Sequence, residues 1–375
     1  MNLAMRKIPL IKPYITESTK AKVMDVLDSG FLTEGSVTRN LEKEFCEYIK
    51  VEHALAFTSC TTGLEVALRA LNIGPGDEVI VPSYTYPATA NVVSIVGATP
   101  VIVDVDKHNM LIDYEQIELS VTDKTRAIIP VSLFGNPLDY NKLDKIKKKH
   151  NVYIVEDAAC SIGSEIDGRK VGALADISVF SMHPRKFITT GEGGMLTTDN
   201  KEWAEWIFSY KHFGMSSGKQ DGGMTFDKVG TNYKLSDVLS AIGLEQIKQV
   251  DKLLDRRIEL AGHYDSLLSD SSDVLIPEIT ATGKHSYQSY CVYVENRDFV
   301  LNDLRSRQIE VQIGSYALHQ LPAFAESSDC RIEGDMSGAD YAASHALVLP
   351  LYHDLAYEDQ VYVVEELQNS ISRSK

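Results

Sequence analysis

Apolar residues change their period along the chain, and those changes divide it into elements. Val23, Val26 and Leu27 recur at helical spacing after Glu17-Ser18-Thr19, and Leu41 to Tyr48 predicts a second helix, so residues 10–50 read as largely helical. Gly30 and Gly35 mark the loop between them. Leu64, Ala67, Leu68 and Leu71 stand at i, i+3, i+4 and i+7, one face of a third helix. After the turn Gly74-Pro75-Gly76-Asp77, short apolar, β-branched runs alternate with helical stretches. The runs are Val79–Val81, Val101–Val105, Ala127–Leu133, Val152–Val155 and Ile177–Phe180, with a charged helix from Leu143 to His150. Such alternation implies parallel strand pairing with helices on the sheet faces. Ligands of such sheets sit beyond the carboxyl ends of the strands, so chemistry is expected in the loops that follow these runs.

Further on, Ser236-Asp237 is a good N-cap pair, and Ile247, Val250, Leu254, Ile258 and Ala261 keep one face apolar over several turns. One long helix is expected there, with a domain boundary along it. Residues 1–250 then form a large α/β domain with a mostly parallel central sheet. Residues 251–375 form a smaller α+β domain, on which the N-terminal segment packs. Within it, Ser286–Val294 reads as a strand, Asp298–Gln308 as a helix and Tyr357–Gln368 as a closing helix.

Composition narrows the function. The 375 residues are 44% apolar and 24% charged, enough to build a core without metal or disulfide staples. A net charge of −16 argues against a broad nucleic-acid surface, and any bound phosphate must be held by local donors. Five widely spaced cysteines form neither a disulfide framework nor a Cys-x-x-Cys metal pair, so reduced thiols and no metal are expected. The start lacks the apolar stretch of a secretion signal, and no apolar run reaches membrane-spanning length. A cytoplasmic protein with no membrane partner is expected.

Four loops carry candidate chemistry. Lys186 sits in Ser181-Met-His-Pro-Arg-Lys-Phe-Ile-Thr-Thr-Gly-Glu-Gly-Gly194, just past a strand end, where a lysine can form a Schiff base with an aldehyde. A lone lysine in a turn is ordinarily a solvated side chain. Asp157 closes the strand of Val-Tyr-Ile-Val-Glu-Asp-Ala-Ala159, and its carboxylate is placed to pair with a protonated pyridine nitrogen, or simply to cap a turn. Thr58-Ser-Cys-Thr-Thr-Gly-Leu64 leads into a helix, whose first N–H groups favour a phosphate, with hydroxyls from Thr61 and Thr62. A plain N-cap is the ordinary alternative. Pro82-Ser-Tyr-Thr-Tyr-Pro-Ala-Thr89 offers an aromatic ring to cover a flat ligand, or to pack a loop. Each signal is weak alone; together, in this order on this strand pattern, they point to one cofactor.

At these residues the chain resembles the DegT/DnrJ/StrS sugar aminotransferases, which share the type I pyridoxal-phosphate fold. The likeness runs over nearly the whole chain: Ser29-Gly-Phe-Leu-Thr-Glu-Gly35, Asn72–Ser83, Gly97–Asp106, Gly230–Asp237, Ala241–Leu244 and Leu349-Pro-Leu-Tyr352. The resemblance implies pyridoxal 5'-phosphate as cofactor, Lys186 as Schiff-base lysine and proton shuttle, and Asp157 on the pyridine nitrogen. It implies Tyr86 stacked on the ring, and Thr61 with Ser181 at the phosphate, beside Cys60 and Thr62. Asn232 would reach the cofactor of a neighbouring subunit, hence a homodimer with shared sites. Cys60 stands where the family usually has Gly, Cys160 where it often has Gln, and Ser132 where it often has His. Cys160 would still lie beside the cofactor, though without that amide.

The implied reaction moves an amino group from L-glutamate to a nucleotide-linked keto sugar, as in the making of surface polysaccharides, glycans or antibiotics. The Thr-Thr-Gly-Glu-Gly-Gly form leans toward a 4-keto-6-deoxy hexose. Sugar contacts are expected from Thr33, His183, Tyr316 and His319. The Gly- and Ser-rich stretch Gly214–Asp227 reads as a mobile loop that offers Lys219 to the diphosphate. Three other readings compete: a keto-cyclitol aminotransferase, a non-catalytic cofactor- or sugar-binding regulator, and a sugar dehydratase. The last uses His in place of the lysine, and this chain has Lys186.

Overall fold

The computed structural model describes residues 7–217 and 224–375. Its main sheet has eight strands, numbered here β1 (His53–Phe57), β2 (Glu78–Pro82), β3 (Thr99–Val103), β4 (Thr125–Ile128), β5 (Tyr153–Asp157), β6 (Ile177–Ser181), β7 (Gly194–Thr198) and β8 (Arg331–Glu333). Their order is β1-β7-β6-β5-β4-β2-β3-β8. The pairs from β6 through β8 are parallel, while β7 is antiparallel to both its neighbours. The apolar runs became strands because both faces are covered: β2 is buried at every position, and Ile102, Val155 and Val179 are fully enclosed. Helix Cys60–Ala70 buries Leu64, Ala67 and Leu68 on one face of the sheet.

A second core lies in the C-terminal third. The strands there are ordered Val274–Leu275, Tyr290–Val294, Ala346–Leu349, Gln312–Ile313. Helices Val250–Leu268 and Tyr357–Ser374 bury Leu260, Tyr264, Val363 and Leu367 against them. Ile8 is buried in that core and pairs with Ile309.

Three features depart from the sequence reading. The C-terminal third is not confined to its own sheet, since β8 adds a parallel edge to the main one and Tyr316–Ala317 pairs with Tyr84–Thr85. The expected single long helix is two, Asp237–Ile247 and Val250–Leu268, broken at Gln249 (φ −115°, ψ 6°). Leu244, Ile247, Val250 and Leu253 lie in one core across the break, while Leu260 and Tyr264, farther along the second helix, lie in another. The strand expected from Ser286 begins at Tyr290, because Tyr287 has φ 48° and turns the chain.

Candidate functional site

The strand ends converge on a cavity of about 640 Å³, lined by Thr61, Tyr86, Asp157, Cys160, Ser181, His183, Arg185, Lys186, Gln312 and Tyr316 among others. Helix Cys60–Ala70 opens at its edge. Ser59 caps that helix: its hydroxyl accepts from the Thr62 N–H (3.1 Å), and the Thr62 hydroxyl accepts from the Ser59 N–H (3.2 Å). The Gly63 N–H donates to Ser59 O at 3.2 Å. The N–H groups of Cys60 and Thr61 remain for a ligand, at the positive end of the helix dipole. Thr61 lines the cavity, whereas Thr62 does not: its side chain is committed to the cap.

Gly194, at the start of β7, passes directly against this helix start. A Cβ there would lie 2.5 Å from Ser59 C and O and 2.6 Å from Cys60 N. Gly194 thus lets two backbones meet, and a closely approaching ligand is not needed to explain it.

Asp157 is 4% exposed and sits at the end of β5. Its Oδ2 accepts from the Thr89 hydroxyl (2.8 Å), and its Oδ1 from the Ala159 N–H (3.2 Å). The Cys60 Sγ lies 3.9 Å from Oδ1 and 3.4 Å from Val179 O, so this thiol is turned inward beneath the carboxyl. Burial, and then Asp157, push the Cys60 thiol well up, which keeps it neutral. Burial also raises the Asp157 carboxyl above its ordinary value, although Thr89, the Ala159 N–H and Lys186 pull it the other way. A cation placed against it would relieve that cost.

Lys186 lies in a loop closed between Met182 and Thr190, whose N–H donates to Met182 O at 3.0 Å. Its Nζ is 3.0 Å from Cys160 Sγ. Burial opposes its charge, but Cys160, which accepts its hydrogen bond, and Asp157 favour it more strongly, so its pKa lies above the ordinary lysine value. The four loops singled out in the sequence therefore meet in one cavity.

Other candidates divide. Tyr86 is 66% exposed at the cavity wall, edge-on to Tyr316 with ring centroids 6.1 Å apart. Ser181 accepts from the His183 N–H at 3.3 Å, and burial lowers the His183 pKa. His319 does not line the cavity: its ring bonds Ser83 Oγ (2.6 Å) and Asp340 Oδ1 (2.9 Å), which makes it a strut between two loops. Thr33 and Asn232 do not line the cavity, and Asn232 accepts from Lys234 Nζ at 2.6 Å. Lys219 lies outside the described residues.

The sequence reading missed several groups. Thr89 belongs to the aromatic loop by its local sequence, yet its hydroxyl holds Asp157. Gln288 clamps the lysine loop on both sides: its Nε2 donates to Arg185 O (2.7 Å) and its Oε1 accepts from the Phe187 N–H (3.1 Å). Arg257, buried, fixes the Gln288 backbone by donating to Tyr287 O and Gln288 O at 2.8 and 2.7 Å. Nothing local in the sequence ties Gln288 to a loop about a hundred residues earlier.

Residues 13–368 match the model of the DegT/DnrJ/EryC1/StrS aminotransferase family. GDP-perosamine synthase of Caulobacter vibrioides is 34% identical, over 96% of this chain and 97% of that protein. The aminotransferase TlmJ of Streptoalloteichus hindustanus superposes with a TM-score of 0.92 at 30% identity, over 99% of this chain and 100% of that one. Spr1654 of Streptococcus pneumoniae, solved in a PLP form, gives 0.91 at 30% identity, over 99% and 100%. With a match spanning nearly its full length and the lysine, carboxylate and helix start gathered in one cavity, the chain belongs to the DegT/DnrJ/EryC1/StrS aminotransferase family.

Proposed function

We propose that this aminotransferase moves the amino group of L-glutamate onto a keto sugar carried by a nucleoside diphosphate, a 4-keto-6-deoxy hexose by preference. The cofactor is pyridoxal phosphate. The observation that carries the reading is the amine of Lys186 and the buried carboxyl of Asp157 in one cavity beside a capped helix start. These residues fit the cofactor: a cationic ring nitrogen is what the raised Asp157 carboxyl lacks, and the N–H groups of Cys60 and Thr61 suit a phosphate. When bound, pyridoxal phosphate supplies an aldehyde that captures amines and a ring that withdraws electrons.

The chain's own residues supply the rest. Asp157, oriented by Thr89 and the Ala159 N–H, would hold the positive charge of the ring nitrogen. Tyr86, at the cavity wall, would cover the ring. Lys186 would hold the aldehyde, and its Nζ would be the group that takes and returns the donor's α-proton. With the carboxylate of Asp157 matched to a ring cation, less of its field acts on Lys186, which brings the lysine closer to a usable base.

The nucleotide-linked substrate is supported by the likeness to GDP-perosamine synthase. Shared sites in a homodimer are supported by Asn232 and Thr33, which do not line the cavity of their own chain. The exposed side chains of Phe31, Phe213 and Val229 (92%) leave apolar surface near them in sequence. No helix among the described residues is long and apolar enough to cross a membrane, which suits the proposed cytoplasmic location. The test is to supply L-glutamate with UDP-, GDP- and dTDP-linked 4-keto-6-deoxy hexoses and look for the amino sugar by mass spectrometry. Amination of a free keto-cyclitol, with none of the nucleotide sugars converted, would overturn the substrate assignment.

A further inference from the structure

Two cavities meet at Arg185. The first is the one described above; the second, of about 580 Å³, is lined by Lys7, Arg185, Arg305, Glu310 and Gln312, among others. Leu10, Ile11, Arg185 and Gln312 belong to both linings. Arg185 is the one arginine lining the first cavity among the described residues, and it adjoins the cofactor lysine in sequence.

Its backbone is pinned. Its O accepts from Gln288 Nε2 at 2.7 Å, and its N–H donates to His183 Nδ1 at 3.2 Å. Its side chain is exposed, and its hydrogen bond there is a weak one, from Nη1 to Gln312 Oε1 at 3.4 Å. No carboxylate pairs with it among the described residues. Arg305 donates its Nε to Val311 O at 3.0 Å, which leaves its other guanidinium N–H groups for the second cavity. Lys7 is tied to Glu310 at 3.6 Å, and Glu310 also accepts from the Leu10 N–H. Among the described residues, Glu310 is thus the one acidic group in that lining, against three cations. In a chain of net charge −16, a local cationic excess opening onto the active site singles out an anion's path.

We propose that Arg185 is the anchor for an oxyanion of the substrate, with Arg305 and Lys7 extending that subsite into the second cavity. The inference rests on the aminotransferase reading above and deepens it. A guanidinium presents a planar fork that matches both carboxylate and phosphate. Both substrates of the proposed reaction carry such a group: glutamate brings carboxylates, and a nucleotide sugar brings a diphosphate. The lysine loop thereby holds the reactive amine and the recognition group on adjacent residues, with Gln288 fixing the backbone between them.

The experiment is a binding titration of the cofactor-loaded protein with two unreactive probes, succinate and inorganic pyrophosphate, in wild type and in Arg185→Ala, Arg185→Gln and Arg185→Lys. Calorimetry reads the dissociation constants. Cofactor absorbance, compared with wild type, shows which variants retain the site, and at least one of the three is expected to do so. Wild type is expected to bind one or both probes. Arg185→Ala or Arg185→Gln should weaken that binding on the order of tenfold or more, and Arg185→Lys should lose less, since it keeps the charge without the fork. Loss confined to succinate assigns the donor carboxylate; loss confined to pyrophosphate assigns the nucleotide phosphates; loss of both assigns one subsite used in turn. Neither probe reacts, so the outcome is separate from whether the enzyme turns over glutamate. Equal affinities in wild type and in a cofactor-retaining Ala or Gln variant, or no binding to wild type, would overturn the proposal.

Discussion

Thr89→Val isolates what one buried hydroxyl does for Asp157. Thr89 is fully enclosed; its Oγ1 lies 2.8 Å from Asp157 Oδ2 and 3.1 Å from Thr85 Oγ1. Valine keeps the shape and removes the donor. A hydrogen bond to a charged group contributes about 1.5–3 kcal/mol, and the Ala159 N–H is the one strong partner left. At about 1.4 kcal/mol per tenfold change, the variant should lose roughly 10- to 150-fold in its hold on the ring cation. The sign follows from the carboxyl. Its pKa is already raised by burial, and losing a donor raises it further, so the carboxylate gives way to the acid at a higher pH than in wild type. The defect should therefore shrink as pH rises through the higher pKa. A spectral titration of the apo variant with pyridoxal phosphate gives affinity, and a stopped-flow mix with L-glutamate gives the half-reaction rate. A folded variant with wild-type affinity and rate would refute the role given to this hydroxyl, and with it the placing of Asp157 against the cofactor.

Gly194→Ala should be costly although alanine is small. The new methyl would meet the Ser59 backbone at 2.5 Å, and overpacking of this kind costs about 1–3 kcal/mol. Thermal melts should show a less stable apo protein and a smaller stabilisation by added cofactor; unchanged melts would mean the helix start is free to shift. Capture of pyridoxal phosphate by the apo protein needs the neutral amine of Lys186, so its rate should climb with pH through a midpoint above the ordinary lysine value. Cys160→Ala and Asp157→Asn each remove a neighbour that favours the ammonium, so each should move that midpoint to lower pH. Stopped-flow capture rates across pH check this, and a midpoint unmoved in both variants would contradict the electrostatics.

The parts legible in the sequence were those written locally. β-Branched runs at regular spacing mark β2, β3, β5 and β6, and the rule that ligands lie past parallel strand ends points to Lys186, Asp157 and Thr61. What escaped depends on pairs far apart. The strand Arg331–Glu333 is three residues with partly exposed side chains, and its place beside Thr99–Val103 is set by tertiary packing. The clamp from Gln288 to Arg185 and Phe187 joins segments about a hundred residues apart. Thr62 looked like a phosphate ligand because a capping threonine and a ligand threonine have the same local pattern, and only the reciprocal bonds with Ser59 tell them apart. His319 carries no local sign of its partners, yet Ser83 and Asp340 hold both its ring nitrogens, which leaves neither for a sugar.

That Lys186 holds the cofactor and works its proton is tested most directly by the absorption spectrum of the cofactor-loaded protein, before and after L-glutamate, in wild type and Lys186→Ala. Wild type should show the yellow band of lysine-held cofactor, and glutamate should bleach it with release of 2-oxoglutarate. Lys186→Ala, still folded, should lack that band and turn over no glutamate. A wild-type band that glutamate leaves unchanged, or an alanine variant that bleaches like wild type, would contradict the assignment.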